Sequence, residues 1–396
     1  MGEIAMTCVE DKNMQNDYLW KDQRRTSMKA NTMNRITNKI FLALAALTIF
    51  TSMDCKDDPP PKQDDKPPLG KRNYTWSADT IAYPGSFQTL MSDIWGSSPT
   101  DVYVVGHNES PPGPGTMYRF DGAKWTAVNF HIANGGTIEG AMSLSSVYSF
   151  SKNDVWAVGE RTYDNPNRPP NFLDSSRIIH YNGVGWHEHK VEGGRGLLTV
   201  WGTDSNNVWV GGLYGTLFHY DGTIFQKQPY RTDLSIATII GIDANNVFIR
   251  AYLQSQPIDS YFILEKYNGT AWTQIDSTKP YPYVPHFGTS YLWPVDTGTI
   301  YTAGEGGVFK KTVAGWEKVL DTGNEILASV RGNKGNNLFA VGRGMIYHYN
   351  GEDWYKYNQF IDPNIIWIKT WTDGNEVFIV GQTLTGIDRT VVLHGK

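Results

Sequence analysis

From residue 73 onward, apolar and polar positions alternate in short runs separated by clusters of Gly, Asn, Asp and Pro. That period of two predicts short strands joined by tight turns. One pattern recurs: a turn bearing Asn or Asp, then V-[YWF]-x-V-G, then a gap of variable length. An apolar pair with His or Arg follows, then [YF]-[DN]-G and an aromatic. Copies of the first half are DVYVVG (101–106), DVWAVG (154–159), NVWVGG (207–212), NVFIRA (246–251), TIYTAG (299–304), NLFAVG (337–342) and EVFIVG (376–381). Second halves include MYRFDGAKW (117–125), IIHYNGVGW (178–186), LFHYDGTIF (217–225), LEKYNGTAW (264–272) and IYHYNGEDW (346–354), with VFKKTVAGW (308–316) a degenerate copy. Most copies follow an apolar segment ending near Gly, as in LMSDIWGS (90–97), LLTVWGTD (197–204) and IATIIGID (236–243).

The anchors Val102, Val155, Val208, Val247, Ile300, Leu338 and Val377 are 53, 53, 39, 53, 38 and 39 residues apart. A unit of about 40 residues fits four short strands and their turns. Asn-Gly or Asp-Gly between two runs marks a hairpin. The expected fold is therefore all-β: a seven-bladed β-propeller over 72–396, with four antiparallel strands per blade. The last unit, VVLHGK (391–396), matches only a third strand, while NYTWSADTI (73–81) matches a fourth. The N-terminal strand is expected to complete the last blade and close the ring without an exposed edge. The units resemble the WG…DVWxVG…HYDGxxW repeats of secreted bacterial propellers with kelch- and sialidase-like blades. That resemblance implies a fold and no particular activity. The intact Asp-box of sialidases, Ser-x-Asp-x-Gly-x-x-Trp, is missing from the sequence.

The first 70 residues have a different character. Residues 1–32 are polar and without period. Met33 opens a signal-like run, with Arg35 and Lys39 ahead of the apolar stretch IFLALAALTIF (40–50). Eleven apolar residues suit a secretory signal and fall short of the roughly 20 that span a bilayer. Translation from Met33 makes 1–32 an over-extended start and 33–54 a signal peptide. The alternative is a genuine N-terminal extension with an internal anchor. Cys8 and Cys55 are the two cysteines. Cys55, followed by Lys56-Asp57-Asp58, resembles the lipidated cysteine and surface-export tag of Bacteroidetes lipoproteins. Ser52-Met53-Asp54 departs from the small apolar residues usual before that cysteine. On this resemblance residues 55–71 are a lipidated Cys55 and a Pro-, Asp- and Lys-rich tether, reaching up to about 45 Å. Membrane association is expected through the lipid anchor alone, with the domain at the cell surface or outer membrane.

Composition narrows the partners. Charged residues make up 19% against 13% aromatic, which disfavours a coiled coil. A net charge of −5 gives no basic field for nucleic acid. The long segments are HNESPPGPG (107–115), ERTYDNPNRPPNFLDSS (160–176), YLQSQPIDS (252–260) and three connections between units. All are expected on one face, where a polysaccharide or protein ligand would bind. The residues directly after V-x-V-G are His107, Glu160, Leu213, Tyr252, Glu305, Arg343 and Gln382. Together they form a candidate polar ring, with Tyr163, Phe172, Tyr281, Tyr283 and Phe287 as candidate stacking aromatics. Ordinary variation at exposed strand ends explains the same ring. Glu160 and Glu305 are the candidate acid pair for a glycosidase, but units two and five set them across the ring from each other. His187-Glu188-His189 places two histidines on one strand face without a third ligand nearby. Neither a cofactor nor a metal is expected. The leading expectation is a non-catalytic binding module. The alternatives are a carbohydrate-active hydrolase or lyase working at the central mouth, and a scaffold in an envelope complex.

Overall fold

The computed structural model describes residues 68–109, 115–130, 141–164, 166–167, 172–253, 261–279, 285–386 and 389–396. By packing, the chain divides into Met1–Asp65 and Lys66–Lys396, and only the second unit contains described residues. It is all-β apart from a 3-10 turn at Asn358–Phe360. Among the described residues, no helix is long and apolar enough to cross a membrane.

In chain order the strands begin with β1 (Trp76–Ile81). The first sheet is β2 (Thr89–Ser98), β3 (Asp101–Asn108), β4 (Met117–Phe120) and β5 (Trp125–Ala127). The second is β6 (Ala141–Ser151), β7 (Asp154–Asp164), β8 (Phe172–Tyr181) and β9 (Trp186–His189). The third is β10 (Leu197–Asp204), β11 (Asn207–Gly212), β12 (Leu217–Tyr220) and β13 (Phe225–Lys227). The fourth is β14 (Leu234–Asp243), β15 (Asn246–Leu253), β16 (Phe262–Tyr267) and β17 (Trp272–Thr278). The fifth has six strands: β18 (Tyr291–Pro294), β19 (Ile300–Thr312), β20 (Gly315–Lys334), β21 (Asn337–Gly342), β22 (Met345–Tyr349) and β23 (Trp354–Lys356). The sixth is β24 (Ile365–Thr372), β25 (Val377–Thr383) and β26 (Thr390–Gly395), with β1 on its edge.

The repeat count predicts seven four-stranded blades, but the strands form six sheets. The copies at 299–304 and 337–342 share the six-stranded one. The cause is β20, a single extended run of 20 residues. It pairs with β19 over Gly315–Asp321 and again at Ile326, with a register shift between, and with β21 from Leu327 to Lys334, so one strand joins the two units in a single sheet. Closure also differs in extent. Regular pairing with β26 starts at Trp76 rather than at residue 73. Thr75 still exchanges two backbone bonds with Lys396 (2.8 and 2.9 Å), but the residues before it reach the six-stranded sheet: Gly70 N donates to Asn350 O (2.8 Å), and Arg72 pairs with Asp353 (2.8 Å). The N-terminal segment thus ties two sheets together.

Local chemistry explains the repeat. At each Asp-Gly or Asn-Gly turn the first residue's Oδ1 accepts two backbone N–H groups, as Asp121 does from Ala123 and Lys124. The glycine after it holds a positive φ, 97° at Gly122 and 87° at Gly183, which a side chain resists. The polar residue opening V-x-V-G meets the His or Arg of the third strand. Arg119–Asp101 (2.7 Å), His180–Asp154 (2.9 Å), His219–Asn207 (2.5 Å), His348–Asn337 (2.7 Å) and His394–Glu376 (2.6 Å) are one staple repeated. Each of these imidazoles stacks on a second-strand aromatic, as His180 does on Trp156 at 3.8 Å and His394 on Phe378 at 3.9 Å.

The core lies between sheets. Trp209 and Leu217 of the third sheet pack with Ile236, Ile249 and Leu264 of the fourth. Ile94, Val104 and Phe120 of the first pack with Phe378 and Val380 of the sixth. Burying each such side chain stabilises by roughly 1.5–3 kcal/mol, and no sheet can do it alone. The first strands β2, β6, β10, β14, β18, β20 and β24 pack one on the next, and β24 returns to β2, enclosing an axis.

Candidate functional site

The inner strands carry a shared distortion. Register shifts occur between Met91 and Asp93, Leu144 and Ser146, Leu197 and Thr199, Ile236 and Thr238, Leu327 and Ser329, and Trp367 and Lys369. Such a bulge re-aims the side chains that follow it. The partner on the second strand is a glycine in most copies: a Cβ at Gly106 would lie 2.0 Å from Leu90 O, and one at Gly159 2.0 Å from Ser143 O. The final glycine of V-x-V-G is therefore a packing requirement of the bulge.

Beyond the bulges, two layers of side chains meet on the axis. The inner layer includes Asp93, Ser146, Thr199, Thr238, Tyr291 and Lys369, around a recess of about 10 Å³. The outer layer holds Trp95, Tyr148, Trp201, Ile240, Trp293, Arg331 and Trp371, around a chamber of about 330 Å³. Trp95, Tyr148, Trp201, Ile240 and Arg331 line both spaces, so the recess forms the floor of the chamber. The Trp95 ring lies 4.6 Å from Tyr148 and 6.3 Å from Trp293, and the Arg331 guanidinium sits 5.5 Å above it.

A buried charge network fills the floor. Asp93 is fully buried. Its Oδ1 accepts from Ile94 N (2.9 Å) and Arg331 Nη2 (3.0 Å) and lies 3.3 Å from Lys369 Nζ, while Oδ2 accepts from Val147 N (3.1 Å). Burial opposes the charge on Asp93, but Lys369, Arg331, Ser146 and Val147 outweigh it and hold the carboxyl below its usual range. Arg331 also donates to Tyr291 Oη (2.7 Å) and Ile94 O (3.0 Å). Burial pushes the Lys369 ammonium down to about 8, with Asp93 opposing the shift. Arg250, buried on β15, donates to Thr289 O (2.7 Å) and acts electrostatically on Lys369. Among the described residues, one carboxylate thus faces two cations, Arg331 and Lys369.

The residues named from the sequence lie elsewhere. His107 pairs across from Leu90, Glu160 from Ser143, Tyr252 from Ser235, Glu305 from Ile326 and Gln382 from Ile366. These positions are where the inner strands begin, whereas the Trp chamber lies toward the short turns where they end. None of these residues, nor Arg343, lines the axial chamber or its recess. Two of them bond to the following sheet: Gln382 Nε2 donates to Met91 O (2.9 Å), and Arg343 Nε donates to Pro363 O (2.9 Å). Phe287 is fully buried and stacks on Trp316 at 5.1 Å, so it belongs to the core and offers no stacking face. Tyr281, Tyr283, Cys55 and the side chains of Tyr163 and Phe172 lie outside the described residues. His189 packs against Trp156, Tyr220 and Phe225, where burial lowers it to about 4. Glu188 pairs with Arg177. No group of three metal-ligating side chains is assembled among the described residues.

The signal for the axial site was in the repeats. Aligning the first strands puts Trp95, Tyr148, Trp201, Ile240, Trp293, Arg331 and Trp371 in one column. Two residues earlier stand Asp93 and Lys369 among Ser, Thr and Tyr. A charged residue in a column of aromatics or small polar groups marks a departure from framework.

No protein-family model and no curated protein matches the chain. Solved structures do. YCF48 bound to D1 peptide has a TM-score of 0.56 at 12% identity, covering 82% of this chain and 98% of that one. YCF48 from Cyanidioschyzon merolae has 0.55 at 15% identity, covering 80% and 98%. The extracellular domain of a putative one-component system of B. thetaiotaomicron has 0.51 at 14% identity, covering 80% of this chain and 40% of that one. At these identities the likeness is one of fold: the chain is similar to β-propellers.

Proposed function

We propose that the protein is a cell-surface lipoprotein whose propeller is a binding module for a polysaccharide or protein ligand, without catalysis of its own. The observation that carries this reading is the aromatic-walled axial chamber, whose 330 Å³ falls within the size range of small-ligand sites. Flat rings around a few fixed polar groups suit recognition. Asp93 is the one carboxylate among the described lining residues, and its two cations keep it ionised, which makes it a poor proton donor. A glycosidase needs a second carboxyl within about 5–9.5 Å. Propellers of similar fold include YCF48 bound to a peptide and a bacterial extracellular domain, which fits a ligand-binding role outside the cell. Export and anchoring rest on the signal-like run at 33–54 and on Cys55.

The test is an array of acidic and neutral polysaccharides and peptides probed with the full chain and with Trp293→Ala. The expected result is retention of one ligand class by the wild type and its loss in the variant. Turnover of a bound glycan, or binding indifferent to Trp293, would overturn the reading. For the anchor, labelling with a radioactive fatty acid is expected in the wild type and absent in Cys55→Ser.

A further inference from the structure

We infer that the axial chamber is selective for a sugar bearing a carboxylate, of the uronic-acid class, whose acid group is taken by Arg331 and Lys369 at the chamber floor. The inference rests on the binding-module reading and adds the ligand's chemistry to it.

Charge is the first argument. A buried ion is costly unless paired. Asp93 is already saturated by Arg331, Lys369 and the two backbone N–H groups. Arg331 and Lys369 together exceed it by one positive charge. Lys369 has three donors, and among the described residues its ion pair is with Asp93, at 3.3 Å. An incoming carboxylate supplies the missing anion.

Unmet hydrogen bonding is the second. Among the described residues, Thr238 Oγ1 and Thr370 Oγ1 are buried without a partner. Thr238 is 2% exposed and lines the recess, while Thr370 is 0% exposed and lines the chamber. Buried polar atoms are normally satisfied. On the equivalent strands the position of Thr238 is used up: Thr199 Oγ1 accepts from Ile239 N (3.0 Å) and Ser146 Oγ from Val200 N (3.4 Å).

Size and shape are the third. The recess has about the room of one water. It admits one carboxylate oxygen and leaves the rest of the ligand in the outer chamber. There the walls are Trp95, Trp201, Trp293, Trp371 and Tyr148. Several flat aromatic faces around one acid-binding point fit a rigid, disc-shaped ring carrying hydroxyls better than a flexible peptide end, which would lose more freedom on binding.

The experiment is calorimetric titration of the full chain with galacturonate, glucuronate and mannuronate oligosaccharides, each beside its methyl ester. Peptides with a free C-terminal carboxylate form a further arm. At least one acid is expected to bind about ten-fold or more tightly than its ester, the worth of a charge-assisted contact. Lys369→Met is expected to cut that discrimination several-fold, with the acid losing more affinity than the ester, and Lys369→Arg to restore part of it. Thr370→Val, which keeps shape and charge, is expected to weaken the acid several-fold. Melting curves of each variant separate loss of fold from loss of recognition. Acid and ester binding equally, with both lost in Trp293→Ala, would overturn the carboxylate inference and keep the axial binding site. Tight binding of the peptide arm alone would overturn the sugar assignment. Binding of no uronate, or uronate binding untouched by both Lys369→Met and Trp293→Ala, would also overturn it.

Discussion

The two ends of the propeller axis use their sequences in opposite ways. At the end bearing the long segments, residues differ from unit to unit, and such variety reads as specificity. Yet Gln382 and Arg343 are engaged with backbone carbonyls of the next sheet. At the end with short turns, the framework looks uniform, and there the chamber, the aromatic walls and the buried ions converge. Variation at a strand end is inexpensive because solvent tolerates it. A charge introduced onto a closed axis must be held by partners from other strands, so it says more about purpose.

Acid gives the largest expected effect, and it sharpens the contrast by sparing the rim. Burial lowers His348 to about 3 and His189 to about 4, and also lowers His219 and His394. Their folded pKa values lie below the ordinary 6.5 of the unfolded chain, so the unfolded state takes up protons first. The stability they confer is complete above pH 6.5 and is lost as pH falls toward 3. Asp93, whose pKa is also lowered, adds to the loss at the acid end. The expected fall by pH 4 is on the order of 5 kcal/mol, read by urea melts across pH.

Asp93→Ala comes next. It leaves Arg331 and Lys369 buried without their anion, and breaking such a group costs about 3–5 kcal/mol. A melt of this variant that matches the wild type would mean that the axis is wet and uncommitted. At the other end, Gln382→Ala removes one neutral bond and is expected to cost about 1 kcal/mol. His107→Ala, at an exposed position, is expected to stay within about 0.5 kcal/mol of the wild type. If His107 or Gln382 proved costlier than Asp93, the comparison would invert.

Much of the architecture was legible because its causes are local. Asp121-Gly122 must turn, since the Oδ1 bonds and positive φ are properties of those two residues. The His180–Asp154 and His348–Asn337 staples recur at a fixed place in the unit. The sheet count was less legible. Whether the chain turns or runs straight at 321–326 depends on pairing partners on β19 and β21, and the degenerate copy at 308–316 hid the merger. The site was obscured for another reason. Asp93 is more than 200 residues from both Arg331 and Lys369, and only ring closure joins it to them. The tryptophan of the WG pair reads as a core residue until the strand carrying it is known to line an axis.

The most direct test of the central claim is to follow the tryptophan indole N–H resonances of the full chain during titration with a uronate oligosaccharide. Shifts are expected at Trp95, Trp201, Trp293 and Trp371, with Trp125, Trp272 and Trp354 on the outer strands unmoved. Shifts confined to the outer set, or bound ligand with the four axial indoles silent, would contradict it.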